Sequence, residues 1–294
     1  MHPSEKQFSM KPAASKMRIS ICIREMSVVL VAAMMGWCAA TQGAEIHDAA
    51  ELGDLEKVKA CLAKDPEQIN ATDAKGRTVL ACAVLSGKKE VVDFLLDSGA
   101  QEDIFAAAIN GHTNKVAALL KQDPKLVNAR DGGGKTALHW AAMNGQKAVA
   151  EMLLAGKADV NALDGDGFTA LHWAAMFDKS DVAEVLLKNR ADFNIKVARF
   201  GWTPLRLCVI HGHLATAKVL LKAGSDPNVK DEDNILLLHQ AIISGHKDMV
   251  ELLLAYKANL DTKDLEGDSA MDEAIETGSK EMIELIRQHG GKGK

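Results

Sequence analysis

Along most of the chain, apolar residues come in pairs of short runs separated by a turn. A compact run, Ala-Leu-His-Trp-Ala-Ala-Met, follows Thr136 and again Thr169, while the next run carries a single stripe, with Val182 placed to meet Leu186 and Leu187. This spacing predicts two short helices per unit. Thr136 and Thr169 stand where helix N-caps belong, and Thr203 is followed by Pro204 at the first helical position, where a missing N–H costs nothing. Gly145 marks the turn between the two helices, a place a residue with a Cβ adopts reluctantly. After the second helix an Ala-Asp-Val-Asn type segment and an Asp-x-x-Gly turn lead into the next copy. Each unit is thus expected to be a helix, a turn, a helix and a protruding hairpin.

The turn residue recurs at Gly53, Gly87, Gly111, Gly145, Asp178, Gly212, Gly245 and Gly278, with spacings of 34, 24, 34, 33, 34, 33 and 33. Eight units follow, with bounds 45–72, 73–102, 103–130, 131–162, 163–196, 197–230, 231–263 and 264–290. Such units must stack, because none can bury its own apolar face. The short spacing of 24 arises where Ser98-Gly99-Ala100 runs almost at once into Asp103–Ala108, so a hairpin is missing and a gap in the row of hairpins is predicted. His47, Asp48 and Glu51 in the first unit, and Asp272, Glu273 and Glu276 in the last, give the two ends the polar faces of caps.

These residues resemble the ankyrin-repeat family. The matching motifs are TALH at Thr136 and Thr169, TPL at Thr203, the Ala-Ala and Leu-Leu pairs, and ADVN at Ala158 with variants at Ala191 and Ser225. The resemblance covers roughly residues 45–290. It implies an all-α solenoid that binds a partner protein on a concave face made by hairpin tips and first helices, without a cofactor. His139, His172 and His239 fall on the TxLH position, where the imidazole is expected to bond the capping Thr or nearby loop backbone.

Composition changes the picture mainly at the N-terminus. Val28–Ala40 is a charge-free apolar run of 13 residues, preceded by Arg18 and Arg24 and followed by the small residues Gly43 and Ala44. A bilayer span needs about 20 residues, so the run fits the apolar region of a secretory signal. Residues 1–44 are expected to be a cleaved signal, giving a secreted or periplasmic protein beginning near Glu45, with no stable membrane insertion afterwards. An uncleaved anchor and a cytosolic tail are the alternatives, and Met17 or Met26 is an alternative start. Residues 291–294 are expected to be a disordered tail.

Without residues 1–44 the chain holds 30 Lys and Arg against 38 Asp and Glu, a net charge of −8. That field opposes nucleic-acid binding. Cys61, Cys82 and Cys208 form no CxxC and are expected to be buried free thiols. No HExxH, nucleophile elbow or phosphate loop can be picked out, so no catalysis and no metal or other cofactor are expected.

Recognition is expected where the register varies. Phe168 and Trp202 hold a hairpin position that is Arg77, Lys135 or Asp268 elsewhere; Arg199 and Phe200 share the hairpin of Trp202; Phe177 replaces Asn110, Asn144 and Ser244. With Met143 and Met176 these form the expected contact set for an unidentified protein partner. The two methionines belong to a ladder with Leu85, Ile109, Ile210 and Ile243, which is either packing between neighbours or an apolar groove. A periplasmic small-molecule or metal-handling protein, and an effector acting on a host protein, are the competing functions. Oligomeric state is open.

Overall fold

The computed structural model describes residues 45–74, 76–230, 236–264 and 266–293, so the expected signal segment lies outside the described residues. Among them the chain forms eight successive helix pairs and no extended strand. The pairs are α1 Glu45–Leu52 and α2 Leu55–Lys64, α3 Val79–Leu85 and α4 Lys89–Asp97, α5 Ile104–Asn110 and α6 Thr113–Gln122, and α7 Ala137–Asn144 and α8 Lys147–Ala155. They continue with α9 Ala170–Met176 and α10 Ser180–Lys188, α11 Pro204–His211 and α12 Leu214–Lys222, α13 Leu237–Ile243 and α14 Lys247–Ala255, and α15 Ala270–Thr277 and α16 Lys280–Gln288. Each pair flanks one of the turn residues, from Gly53 between α1 and α2 to Gly278 between α15 and α16.

Helices of this length are marginal alone in water, so their stability comes from packing. Each odd-numbered helix packs on the next, and the even-numbered ones do likewise from α6 to α14. Alanine makes the close approach possible: Ala106, Ala107, Ala108, Ala141, Ala142, Ala174 and Ala175 are completely buried. The outer edge is laced by asparagines. Asn70, Asn128, Asn161 and Asn228 each accept a backbone N–H from the following unit, from Gln101, Asp159, Asp192 and Asn259, at 2.7–2.9 Å. These bonds satisfy loop backbone that stacking removes from water.

The hairpins are built on aspartate. Oδ1 of Asp73, Asp131, Asp164 and Asp264 accepts the backbone N–H of Arg77, Lys135, Phe168 and Asp268 at 2.8–2.9 Å, which closes each turn. Neighbouring hairpins nearly touch, since Gly165 N donates to Gly133 O at 2.9 Å and a Cβ added to Gly134 would lie 2.7 Å from Gly165 N. Asp178 takes the left-handed turn position with φ 51°, and its Oδ1 accepts from Thr216 N at 3.1 Å and Thr216 Oγ1 at 2.8 Å. Those two bonds to the next unit offset the backbone strain.

Two sequence expectations are corrected. The predicted gap in the row of hairpins is closed: a Cβ on Gly76 would come within 3.3 Å of Gly132 N, so the hairpins before α3 and α7 meet over the missing one. The C-terminal residues 291–293 are not detached, because Ser269 Oγ donates to Lys292 O at 3.2 Å and Gly293 lies against Met271 and Ile275.

Candidate functional site

The richest side-chain constellation lies on the hairpins and odd-numbered helices of units four to six. Asp164, already closing its hairpin, also accepts Trp173 Nε1 at 2.9 Å and lies 3.6 Å from Lys135 Nζ through the same oxygen, Oδ2. That ammonium stands 5.0 Å from the centroid of Trp173 and 5.7 Å from that of Trp140. Trp140 Nε1 in turn donates to Asp131 Oδ2 at 3.0 Å. Indole and ammonium groups that stacking buries are thereby partnered. Along unit five the rings continue: Phe168 lies 5.4 Å from Trp173, and Trp173 stacks on Phe177 at 6.1 Å with planes 14° apart. In unit six, Phe200 stacks on Trp202 at 4.6 Å, with the Arg199 guanidinium 5.2 Å from the Phe200 centroid.

Four of the seven expected contact residues are interior. Phe168 is 0% exposed, Met176 4%, Trp202 8% and Met143 9%, so none is a free anchor and the methionine ladder is packing at these steps. The physical reason is visible at the same register elsewhere. Lys135 is only 5% exposed, and the half-buried Arg77 side chain lies against Asp73, with Nε 2.7 Å from Oδ2. This hairpin position points between neighbouring helices, and charged residues there are paired rather than solvated. Phe177 and Phe200 are half-buried and Arg199 is exposed.

Leu163 belongs with these three and was missed. It is 45% exposed on the hairpin of unit five, where Arg130 Nη1 donates to its carbonyl. The signal was in the register: the residue before the hairpin Asp is Thr72, Arg130 or Lys263 in other units, and apolar at Leu163.

The TxLH histidines are structural. Nδ1 of His139 and of His172 accepts the backbone N–H of Thr136 and Thr169, at 3.0 and 3.2 Å. Since an N–H can only donate, the proton sits on Nε2, which donates to Ala162 O and Phe168 O from His139 and to Trp202 O from His172. Burial lowers both pKa values, that of His172 to about 4. His47 occupies the same register in unit one, with Nε2 3.0 Å from Ala71 O, so it is a repeat residue as well as part of a cap. Three further imidazoles gather at the unit six to seven turn. His211 and His213 stack at 5.4 Å, and burial with the neighbouring His213 and His246 lowers His211 to about 4. His213 and His246 are bonded to backbone at Ala175 O and Ile210 O, and no metal-binding group of three appears among the described residues. Cys61, Cys82 and Cys208 are buried free thiols, and burial pushes Cys82 up to about 12.

Comparison with known proteins agrees with this architecture. Profiles described as ankyrin repeats match residues 46–96, 103–164, 157–231 and 205–293. The chain is similar to an ankyrin repeat domain-containing protein, SAT10, of Stachybotrys chartarum, 34% identical over 117 residues, which is 38% of this chain and 6% of that protein. It is also similar to the ankyrin repeat protein nuc-2 of Neurospora crassa, 28% identical over 206 residues, 67% of this chain and 19% of that one. A probable E3 ubiquitin-protein ligase, XBOS31, of Oryza sativa is 28% identical over 124 residues, 39% of this chain and 28% of that protein. The chain thus spans less than a third of the length of each of these relatives, and what they share with it is the repeat array. With profiles matching most of residues 46–293 and the same helix pairs in the structure, the chain belongs to the ankyrin-repeat family.

Proposed function

We propose that this protein is a non-catalytic module that binds another protein, outside the cytoplasm, through the hairpin and inner-helix face of units five and six. The observation that carries this reading is the pair of half-buried rings, Phe177 and Phe200, each stacked on a buried tryptophan. A ring held this way has little freedom left to lose on binding and still has surface to bury, which is how aromatic anchors come to dominate interfaces. Exposed Arg199 and Leu163 supply a cation and further apolar surface on adjoining hairpins. The extracytoplasmic location rests on the apolar run Val28–Ala40 and the small residues that follow it.

A photo-reactive amino acid placed at 177 or 200, or at exposed Glu184 on the outer helix α10 as control, tests the proposal in the native cell. Positions 177 and 200 should capture the same protein, in a non-cytoplasmic fraction, on a chain beginning near Glu45. Capture from 184 but not from 177 or 200 would overturn the assigned face. Soluble cytosolic chain retaining residues before Met26 would overturn the location.

A further inference from the structure

In several units the residue just after the turn reaches back over the turn glycine of the unit before it. Lys88 covers Gly53, Gln146 covers Gly111, Lys179 covers Gly145 and His246 covers Gly212. Two of these side chains also tie the units together. Gln146 Nε2 donates to Ile109 O at 2.8 Å, and His246 Nε2 makes the matching bond to Ile210 O at 3.3 Å.

Only where units six and seven meet do both sides of this contact carry imidazole. Gly212 stands between His211, the last residue of α11, and His213, the N-cap of α12, whose rings stack at 5.4 Å. A Cβ on Gly212 would come within 3.0 Å of the His246 ring. Burial and the two neighbouring imidazoles lower His211 to about 4, and no carboxylate acts against them. The other charged groups on the packed elements are committed or remote. Asp178 accepts from Thr216, Lys179 lies over Gly145, and Asp181, Lys218, Lys247 and Asp248 are exposed. His172, Arg206 and His239 bond to Trp202 O, Gln240 and Asp268 O, towards the hairpin end of their helices. His112 holds the register of His246 in unit three, but it lies 2.7 Å from Glu102, so a charge there has a partner.

We propose that the junction of units six and seven is an acid-released latch: as its imidazoles take up protons, His246 is driven off the turn of unit six and the last two units loosen from the array. Charges gathered around one glycine repel, and partial burial leaves little water to screen them. Because the closed junction holds His211 below its open-state value of 6.5, the latch is fully held above 6.5 and is lost as pH falls toward 4. From His211 alone the open population should rise up to about twentyfold between pH 7 and pH 5. The latch does not depend on the proposed binding function.

The repeats themselves supply a form that does not titrate. Asn110 and Asn144 hold the register of His211, and Gln146 holds that of His213 and His246 with the tie to the preceding unit kept. His211→Asn/His213→Gln/His246→Gln should therefore fold with the junction closed. Amide exchange in α13 and α14 of the full chain is compared at pH 7 and pH 5 after correction for intrinsic rates, with α3 and α4, one unit in from the other end, as reference. Opening of α13 and α14 should rise by about tenfold or more over the reference on acidification, and the triple variant should lose that excess. His139 and His172 are the same in both proteins, so the difference belongs to the three imidazoles. Should the triple variant not fold, His246→Gln alone should still remove most of the excess. An equal acid response at the two ends, an excess that survives in the variants, or a His211 that titrates near 6.5 while the junction stays closed would overturn the proposal.

Discussion

His172 shows how one residue couples the repeat to pH. Its Nδ1 is occupied by a backbone donor, so the folded protein has no place for a second proton, and burial lowers its pKa to about 4. The unfolded chain takes that proton near 6.5, so stability is full above 6.5 and is lost as pH falls from there toward 4. From His172 alone the loss should reach about 2 kcal/mol near pH 5, and His139, lowered for the same reason, adds to it. Asp103, raised by burial, works in the opposite direction. Urea midpoints at neutral pH and near pH 5 measure the net fall. His172→Gln keeps a capping-box side chain that does not titrate, and should flatten the profile by about that 2 kcal/mol. The capping role of these histidines was legible in the motif. Side-chain direction at the hairpin was not: Lys135 and Arg77 suggested a solvated position, yet Lys135 is buried and Arg77 half-buried, each with acidic partners, and Phe168 is buried too.

At the scale of elements, the helices followed from the apolar period and the caps, and all eight pairs stand where the turn residues place them. What escaped was how units meet. The missing hairpin is a plain deficit of residues, but the closure of Gly76 on Gly132 depends on how far two hairpins lean, which no local pattern encodes. Asp178 likewise looks like a tolerated substitute until Thr216, in the next unit, supplies its two bonds. The array should still be weakest at its ends, where each unit has one neighbour. Hydrogen exchange should be slowest in α7 and α9, whose Ala-Ala pairs are fully buried, and fastest in α1 and α16. Slow amides around Gly53 and Gly278 with fast ones in units four and five would contradict this.

Across the whole molecule, Phe168, Trp173 and Trp202 are interior rings that hold the array together, and Phe177 and Phe200 are the rings proposed to bind. The sequence pointed to the right units for an aromatic cluster but could not divide it, because burial depends on contacts between units. The most direct measurement is a parallel one of partner affinity and urea midpoint for Phe177→Ala/Phe200→Ala and for Phe168→Ala. The double variant should lose binding by about tenfold or more while its stability falls only modestly, about 1 kcal/mol for each half-buried ring. Phe168→Ala should instead cost about 3–5 kcal/mol of stability, as expected for an emptied core position. Unaltered affinity in the double variant, together with a stability loss as large as that of Phe168→Ala, would show that Phe177 and Phe200 are packing and that recognition lies elsewhere.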